Sequence, residues 1–590
     1  MNRYLHLSVL TFLITISSGF GQKPLKSTLL LGYTQTLNGL TVPTFESGRS
    51  DFCLFDINQD GHPDILSIGD HGNPNIGATE EGIMVWLGNG NGGFTYHHYG
   101  DLGYGGITAG DLNNDGLMDI GYGMHHNYSS DDLGDQILEA ALGDGTGLFW
   151  TAWDDGLATN GEDWGMFGTD FADFDNDGDL DIASNSFGSG AGIHVYLNQL
   201  NGTWIQSYGF LNGNSDMILR AADFNNDGNM DFLAGHQYGT AYMGDGSGNF
   251  TVVNNGLPPI GNIAHDGIST GDVNHDGASD LAFVNSGQGL EVYAFDPVFQ
   301  VWYELSGDLP ATGDFQFTQL ADMNSDGNCD IIGIGNGLCK VWLGDGTGNW
   351  TPDAQFTFPS PGYVEAFRAG ADFDHNGFAD MVFLAEQGNW PSEINKLYCF
   401  LESSPADSLW ISPAFPAGGE KLKPGSVRIV RWMSEIPAGT SSNVTLEISA
   451  FGPEGPWWLV AENLPNNGQY QWLVPETGSQ DCYIRFTVNN GFSQASSVTA
   501  SAFTISGEPT EIISQDMNRD LIFPNPGYDQ IKVRDHTIKK MTFYNLKGSA
   551  VTVVVNGNDP LDLSFLEPGV YLVELEFLNG DRSRQKWVKL

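Results

Sequence analysis

Asp173-Phe174-Asp175-Asn176-Asp177-Gly178-Asp179-Leu180-Asp181 is one of seven copies of a nine-residue stretch, Asp-x-[Asp/Asn]-x-[Asp/Asn]-Gly-x-x-Asp. The others begin at Asp56, Asp111, Asp223, Asp272, Asp322 and Asp372, so successive starts lie 55, 62, 50, 49, 50 and 50 residues apart. Oxygens at positions one, three and five of a tight loop converge on one point, and the glycine at position six permits the sharp turn. A carbonyl at position seven and the carboxylate at position nine complete most of an oxygen shell. Such a shell suits a hard cation, and Ca²⁺ takes oxygens at roughly 2.3–2.6 Å.

Up to seven Ca²⁺ ions are therefore expected. The first loop offers Asp56, Asn58, Asp60 and Asp64, and the second Asp111, Asn113, Asp115 and Asp119. The third offers Asp173, Asp175, Asp177 and Asp181, and the fourth Asp223, Asn225, Asp227 and Asp231. The fifth offers Asp272, Asn274, Asp276 and Asp280, and the sixth Asp322, Asn324, Asp326 and Asp330. The seventh offers Asp372, Asp374, Asn376 and Asp380, and the asparagine at position five makes it the weakest copy. His62, His275 and His375 also fall in these loops and are read as solvated.

An EF-hand would need a glutamate at position twelve and flanking helices. Position twelve here is Ser67, Tyr122, Ser184, Ala234, Phe283, Gly333 and Phe383. Each copy instead runs into a short apolar segment such as Ile331-Ile332-Gly333-Ile334, which reads as a buried strand. The loop thus joins strand to strand. Gly-rich turns recur downstream, as in Leu142-Gly-Asp-Gly-Thr-Gly-Leu-Phe149 and Leu343-Gly-Asp-Gly-Thr-Gly-Asn-Trp350. Four strands in a period of about 50 residues make a propeller blade. Seven periods predict an all-β fold with a seven-bladed β-propeller over 22–402. The stretch from 28 to 48 would complete the last blade and close the ring.

The repeats resemble the FG-GAP/VCBS-type calcium-loop propellers, similar in plan to the integrin α-chain head and to some fungal propeller lectins. That resemblance implies adhesion, glycan binding or, more rarely, catalysis.

Residues 1–21 read as a secretory signal: Arg3, an apolar run from Leu5 to Ile16, and Gly19-Phe20-Gly21 before Gln22. No later run is long enough to span a bilayer. Residues 408–505 alternate apolar and polar residues, as in Val427-Arg-Ile-Val-Arg-Trp432 and Cys482-Tyr-Ile-Arg-Phe-Thr-Val488. They predict a β-sandwich and resemble an Ig-like module of secreted bacterial proteins. Trp432 and Trp472 are expected in its core, and one of Trp457 and Trp458 is expected to face out. A linker spans 506–519, and a small β-sandwich spans 520–590. Its landmarks are Phe523-Pro-Asn-Pro526, Leu561-Asp-Leu-Ser-Phe-Leu-Glu-Pro-Gly-Val-Tyr571 and Lys586-Trp-Val-Lys589. These resemble the type A C-terminal sorting domain of the type IX secretion system. They imply secretion or display on the outer cell surface, with the tail removed.

The chain holds 73 acidic and 23 basic residues, a formal charge of −50. No Lys or Arg lies between Arg49 and Arg220, or between Arg220 and Lys340. Nucleic acid is excluded as a partner, because phosphate binding needs a basic face. Five cysteines are present: Cys53, Cys329, Cys339, Cys399 and Cys482. Cys329 with Cys339, or Cys53 with Cys399, could pair, with buried unpaired thiols the open alternative.

The loops on the face away from the calcium loops are candidates for a ligand. The longest are 67–84 and 121–137, which explain the two wide spacings. They carry Asp70, His71, His125, His126, Tyr128, Asp131 and Asp132, and neighbouring loops carry Trp164, His236, Tyr238, His265 and Trp390. Aromatic and polar groups around a funnel suit a glycan or a surface protein. No nucleophile elbow, zinc-protease or P-loop pattern occurs. The leading reading is a calcium-dependent binding or adhesion protein. The alternatives are a polysaccharide lyase or hydrolase with an accessory sandwich, for which Glu162, Asp163, Asp131 and Asp132 would be candidate carboxylates, and a structural surface scaffold.

Overall fold

The computed structural model describes residues 31–40, 51–69, 81–103, 105–128, 132–159, 165–186, 192–211, 218–235, 241–258, 268–359, 362–388, 394–476 and 478–506. In the tail it describes 522–523, 530–533, 538–545, 550–554, 561–566, 569–577 and 582–589. The signal segment 1–21, most of the linker, and Asp70, His71, Asp131, Glu162, Asp163, Trp164, His236, Tyr238, His265 and Trp390 lie outside the described residues. The chain divides into two compact units, Met1–Ser506 and Gly507–Leu590.

All described secondary structure is β-strand, with no helix among the described residues. The described residues of the first unit include seven four-stranded antiparallel sheets. The second sheet runs Ile107–Gly110, Asp119–Gly123, Leu138–Gly143 and Trp150–Ala152, and the third runs Met166–Ala172, Asp181–Ser186, Gly192–Asn198 and Trp204–Leu211. The innermost strands touch one another in sequence, and Phe52–Phe55 of the first sheet meets Val364–Ala369 of the seventh, so the ring closes in a propeller-like arrangement. Closure uses the segment ahead of the first loop. Tyr33–Thr36 pairs antiparallel with Ile394–Glu402 as the outer strand of the seventh sheet. Phe94 N–H then donates to the Asn38 carbonyl at 2.9 Å, tying the first sheet to that segment.

Each Asp-rich loop joins the first and second strands of its sheet. The second strands are buried along their whole length in six sheets, as in Asp181–Ser186 and Asp330–Gly335, and through Ala385 in the seventh. Neighbouring sheets cover both of their faces, which is why they read as continuous apolar runs rather than as alternations. Position two of the loop is also apolar in every copy. Ile57, Leu112, Phe174, Phe224, Val273, Met323 and Phe373 are all buried between sheets. Phe174 is fully buried and meets Phe232 and Phe250 edge-on at 6.3 and 5.5 Å. Phe174→Ala is expected to cost about 3–5 kcal/mol through lost burial and an unfilled cavity. Guanidinium unfolding should show a lower midpoint at unchanged slope.

All five cysteines are free thiols. Cys339 pairs across the ladder with Ile334, five residues up the strand from Cys329. That separation is roughly 16 Å, and a disulfide needs Cα atoms within about 7 Å. Cys53 sits on an innermost strand and Cys399 on the third strand of its own sheet, too far out to bridge.

Residues 410–505 form two further sheets packed on a shared core. One is Trp410–Phe415, Val427–Glu435 and Gln469–Leu473; the other is built on Ser479–Asn489 and Asn443–Ser449. Trp432, Trp472 and Phe486 fill the space between them. Trp458 faces solvent, while Trp457 lies 4.6 Å beneath the Arg485 guanidinium. The second unit packs Met541, Phe543, Val573 and Leu575 in its own core. Its last strand delivers Lys589 Nζ to the Leu563 carbonyl at 2.8 Å.

Candidate metal centre

The seven loops share one internal geometry. The position-six glycines all have left-handed φ values, from 83° at Gly377 to 98° at Gly178. Position four is left-handed too, with φ from 51° at Asn226 to 61° at Asn176, although it is never glycine. Two left-handed residues curl the loop tightly enough for position one to bind the backbone ahead of it. In the third loop Asp173 Oδ2 accepts from Gly178 N–H at 3.2 Å and Oδ1 accepts from Asp177 N–H at 3.2 Å. The glycine contact recurs in all seven copies.

Position nine works as a pin. Its Oδ2 accepts the N–H of position two in every loop, as from Phe174 to Asp181 at 2.8 Å. Its Oδ1 accepts an N–H from the third strand in six loops, as from Asn198 to Asp181 at 2.9 Å. In the fifth loop Asp280 Oδ1 is buried with no hydrogen-bond donor. The sequence assigns position nine to the ion alone; the structure gives it backbone donors first, leaving only its remaining lone pairs for a metal.

The donor set fits a hard cation. Carboxylate oxygens of Asp173, Asp175 and Asp177 lie within 4.8 Å of one another, and so do those of Asp372, Asp374 and Asp380. The seventh loop thus gathers three carboxylates despite its asparagine at position five. Its Asn376 turns its amide N–H groups to the Glu402 and Ser404 carbonyls at 2.8 and 3.2 Å, and Asp380 takes its place in the cluster. Burial, reinforced by the neighbouring carboxylates, pushes these acids up: Asp175 to about 6, and Asp223 and Asp322 to about 7.

The sign of the pH dependence follows. A carboxyl group raised in the folded state favours folding when protonated. Metal-free protein should therefore gain stability as pH falls from about 7.5 towards 5 and lose it as pH rises through 6–7. Ca²⁺ competes with those protons, so the stabilisation it adds should shrink over the same range. Thermal midpoints in chelator and in excess Ca²⁺ between pH 8 and 5 check both slopes.

Position four carries a link that the sequence reading missed. Asn176 Nδ2 donates to Asn229 Oδ1 of the next loop at 3.0 Å, and Gln59 Nε2 donates to the Gly116 carbonyl at 2.6 Å. His275 Nε2 meets Asn328 Oδ1 at 2.8 Å, and His375 Nε2 meets His62 Nδ1 at 2.8 Å across the ring closure. Asn226 reaches the Asp276 carbonyl, and Ser325 the Gly377 carbonyl. These histidines are therefore not merely solvated, but join adjacent loops. Burial first, and then the His62 charge, lower His375 to about 4. A polar or imidazole residue at position four of each copy was the available signal.

The residues that follow the ring cover the loop face. Val427 N–H donates to Asp173 Oδ2 at 2.8 Å, and Asn467 Nδ2 donates to Asp56 Oδ2 at 3.0 Å. Gln471 bonds the Asp111 backbone through both amide atoms at 2.9 Å. Lys421 N–H reaches Asn226 at 2.7 Å, and Ile436 N–H reaches the His375 carbonyl at 2.9 Å. Arg428, buried beside Asp173 and Asp223, donates to the Gly228 carbonyl.

Inside the ring, the scarce arginines meet acids from other sheets. Asp51 Oδ2 accepts from Arg368 at 2.6 Å and from Arg220 at 3.1 Å. Asp170 accepts from Thr108 Oγ1 at 3.3 Å and from Ala221 N–H at 2.9 Å.

Of the residues expected to meet a ligand, His125, His126, Tyr128 and the exposed Asp132 are described, and the three rings come together. His126 stacks on Tyr128 with centroids 4.1 Å apart, and His125 lies 5.1 Å from His126. They occupy the connection after Asp119–Gly123, at the opposite end of that strand from its Asp-rich loop.

The FG-GAP-like repeat family matches residues 56–122, 173–234 and 322–383, each running from the start of one Asp-rich loop through the next loop and into the strand after it. A secretion system C-terminal sorting domain matches residues 521–589. The chain carries FG-GAP-like repeats and a C-terminal sorting domain. The sorting domain marks the repeat protein for the type IX system, to the cell surface or outside. No curated protein matches the chain. Among solved structures it is similar to an Agrocybe aegerita lectin described for recognition of non-reducing terminal N-acetylglucosamine. That match has 17% identity and a TM-score of 0.38, over 53% of this chain and 81% of the lectin. It is also similar to the Photorhabdus luminescens Tc holotoxin pore, at 12% identity and a TM-score of 0.32, over 78% of this chain and 20% of that one. No helix among the described residues is long and apolar enough to cross a membrane.

Proposed function

We propose that this FG-GAP-repeat protein is a calcium-binding adhesion or recognition protein of the cell surface or its surroundings. Ca²⁺ holds the seven Asp-rich loops, and a glycan or surface protein binds at the opposite face. The observation that carries this reading is the division of labour between the two faces. The Asp-rich face is covered by the following β-sheets through Val427, Asn467 and Gln471. The other end of the second sheet holds His125 beside the stacked His126 and Tyr128 rings. Stacked rings edged by imidazoles offer apolar area and directed hydrogen bonds at low entropic cost, as sugar and peptide sites use.

Retention of the purified protein on a panel of immobilised glycans and cell envelopes, with Ca²⁺ and with chelator, tests the reading. Calcium-dependent retention that His126→Ala and Tyr128→Ala weaken at least tenfold supports it. Retention by no ligand leaves the scaffold alternative, and release of soluble sugar from the panel would favour the polysaccharide-degrading one.

A further inference from the structure

Strand Val427–Glu435 crosses the Asp-rich face of the ring from one side to the other. At its start, Val427 N–H donates to Asp173 Oδ2 of the third loop at 2.8 Å. Just past its end, Ile436 N–H donates to the His375 carbonyl of the seventh loop at 2.9 Å. In a ring of seven sheets, the third and seventh stand as far apart as any two can. Arg431 follows Val427 by four residues and precedes Ile436 by five, so it lies over the middle of the ring.

Side chains alternate along a strand. Val430 and Trp432 are buried in the core between the sandwich sheets, which turns Ile429, Arg431 and Met433 the other way, towards the ring. Met433 packs against the ring's own buried cluster, the one that contains Phe367 and Met381. Beside Ile429, its ladder partner Gln471 bonds the Asp111 backbone. Arg431 therefore points into the ring between two contacts made on the same side of the sheet.

The charges waiting there are already matched. Arg220 and Arg368 stand against Asp51 and Asp170. Asp51 accepts from Phe52 N–H and from both guanidinium groups, and Asp170 accepts from Thr108 Oγ1, Phe171 N–H and Ala221 N–H. Arg428, the other arginine near this strand's start, donates to the Val427 and Gly228 carbonyls. The Arg431 guanidinium makes no hydrogen bond or ion pair with any described residue. A shortage of acids does not explain this in a chain with 73 acidic and 23 basic residues. Solvent reaches Arg431 although the strand that carries it is seated on the ring, so there is open space beside the side chain. Burial lowers its guanidinium, while Asp170 and then Cys53 oppose the shift, which sets it near the innermost strands of the third and first sheets.

We propose that Arg431 anchors an anion site inside the ring, which takes a carboxylate or another oxyanion group of a ligand. The planar guanidinium fork matches two oxygens of such a group, and the pairing strengthens where protein displaces bulk water. Asp51 and Asp170 cancel the charge of Arg220 and Arg368, so Arg431 supplies the recognition. The site is separate from the Asp-rich loops, whose oxygens suit cations, and from the stacked rings of His126 and Tyr128.

Calorimetric titration of the full chain with selenate and with glucuronate tests the site. The expected result is saturable binding of at least one of them. Binding of selenate alone assigns a tetrahedral oxyanion, and binding of glucuronate alone assigns a carboxylate. R431Q should weaken binding at least tenfold and keep the parent's thermal midpoint in anion-free buffer, since its side chain has no hydrogen bond to lose. R431K keeps the charge without the fork and should fall between the two. Crystals soaked in the anion that binds should show it beside the Arg431 guanidinium. Binding of neither anion, binding that R431Q leaves unchanged, or an anion seen only elsewhere would each overturn the proposal.

Discussion

Withdrawal of Ca²⁺ with excess chelator is expected to lower the thermal midpoint of the protein by roughly 10 °C or more. A ligand present at a hundred times its dissociation constant stabilises the folded state by about 2.7 kcal/mol per site. Three filled loops would therefore contribute about 8 kcal/mol, and a chain of this size shifts by roughly 1–3 °C per kcal/mol. The apo state also carries a direct penalty. Asp64, Asp181, Asp231, Asp330 and Asp380 are each buried beside other carboxylates, and burial, then those neighbours, push them well up. Chelation should be felt beyond the loops, because Val427, Asn467 and Gln471 dock on three of them. A scan in Ca²⁺ and in EDTA that superimposes would mean that the loops hold no metal that matters to folding.

The second large effect concerns the interior of the ring. Asp51→Ala should destabilise the protein by about 3–5 kcal/mol, because removing one partner leaves buried charge uncompensated. Asp51 is 6% exposed and accepts both Arg220 and Arg368, so two guanidinium groups lose their paired carboxylate at once and keep only the more distant Asp170. Burial alone would raise the Asp51 carboxyl, yet Arg368 and then Arg220 outweigh it and hold it below the usual range. Burial and the Arg220 charge already lower Arg368 to about 10, a sign of how little spare stabilisation that guanidinium has. Denaturant midpoints of the parent, D51A and D51N at pH 7 measure the loss. A loss under about 1 kcal/mol would mean that solvent reaches the two arginines well enough to replace the pair.

The repeats were legible because their chemistry is local. All four candidate ligands, the glycine turn and the strand that follows fall within about a dozen residues, so the period and the strand-loop-strand unit could be read directly. The buried apolar residue at position two, Phe174 and its six equivalents, was equally local and was overlooked beside the acids. The tail was readable from the order of short landmarks such as Phe523-Pro-Asn-Pro526 and Leu561-Asp-Leu-Ser-Phe-Leu-Glu-Pro-Gly569.

Other features were not readable, because they are made by pairs far apart in the chain. The sequence shows Arg220 and Arg368 as rare bases but not that both converge on Asp51, 169 and 317 residues away. It shows His62 and His375 but not their contact, because ring closure brings together residues 313 apart. It shows Gln471 among sandwich residues but not its seat on Asp111. The sequence by itself determined the repeating unit, its metal-ready loops, the all-β class and the export tail. Tertiary structure alone decided which face is covered and which acids meet arginine. The physical reason is that a loop's ligand set is written in nine consecutive residues, whereas burial and charge pairing are set by whatever the closed ring brings within reach.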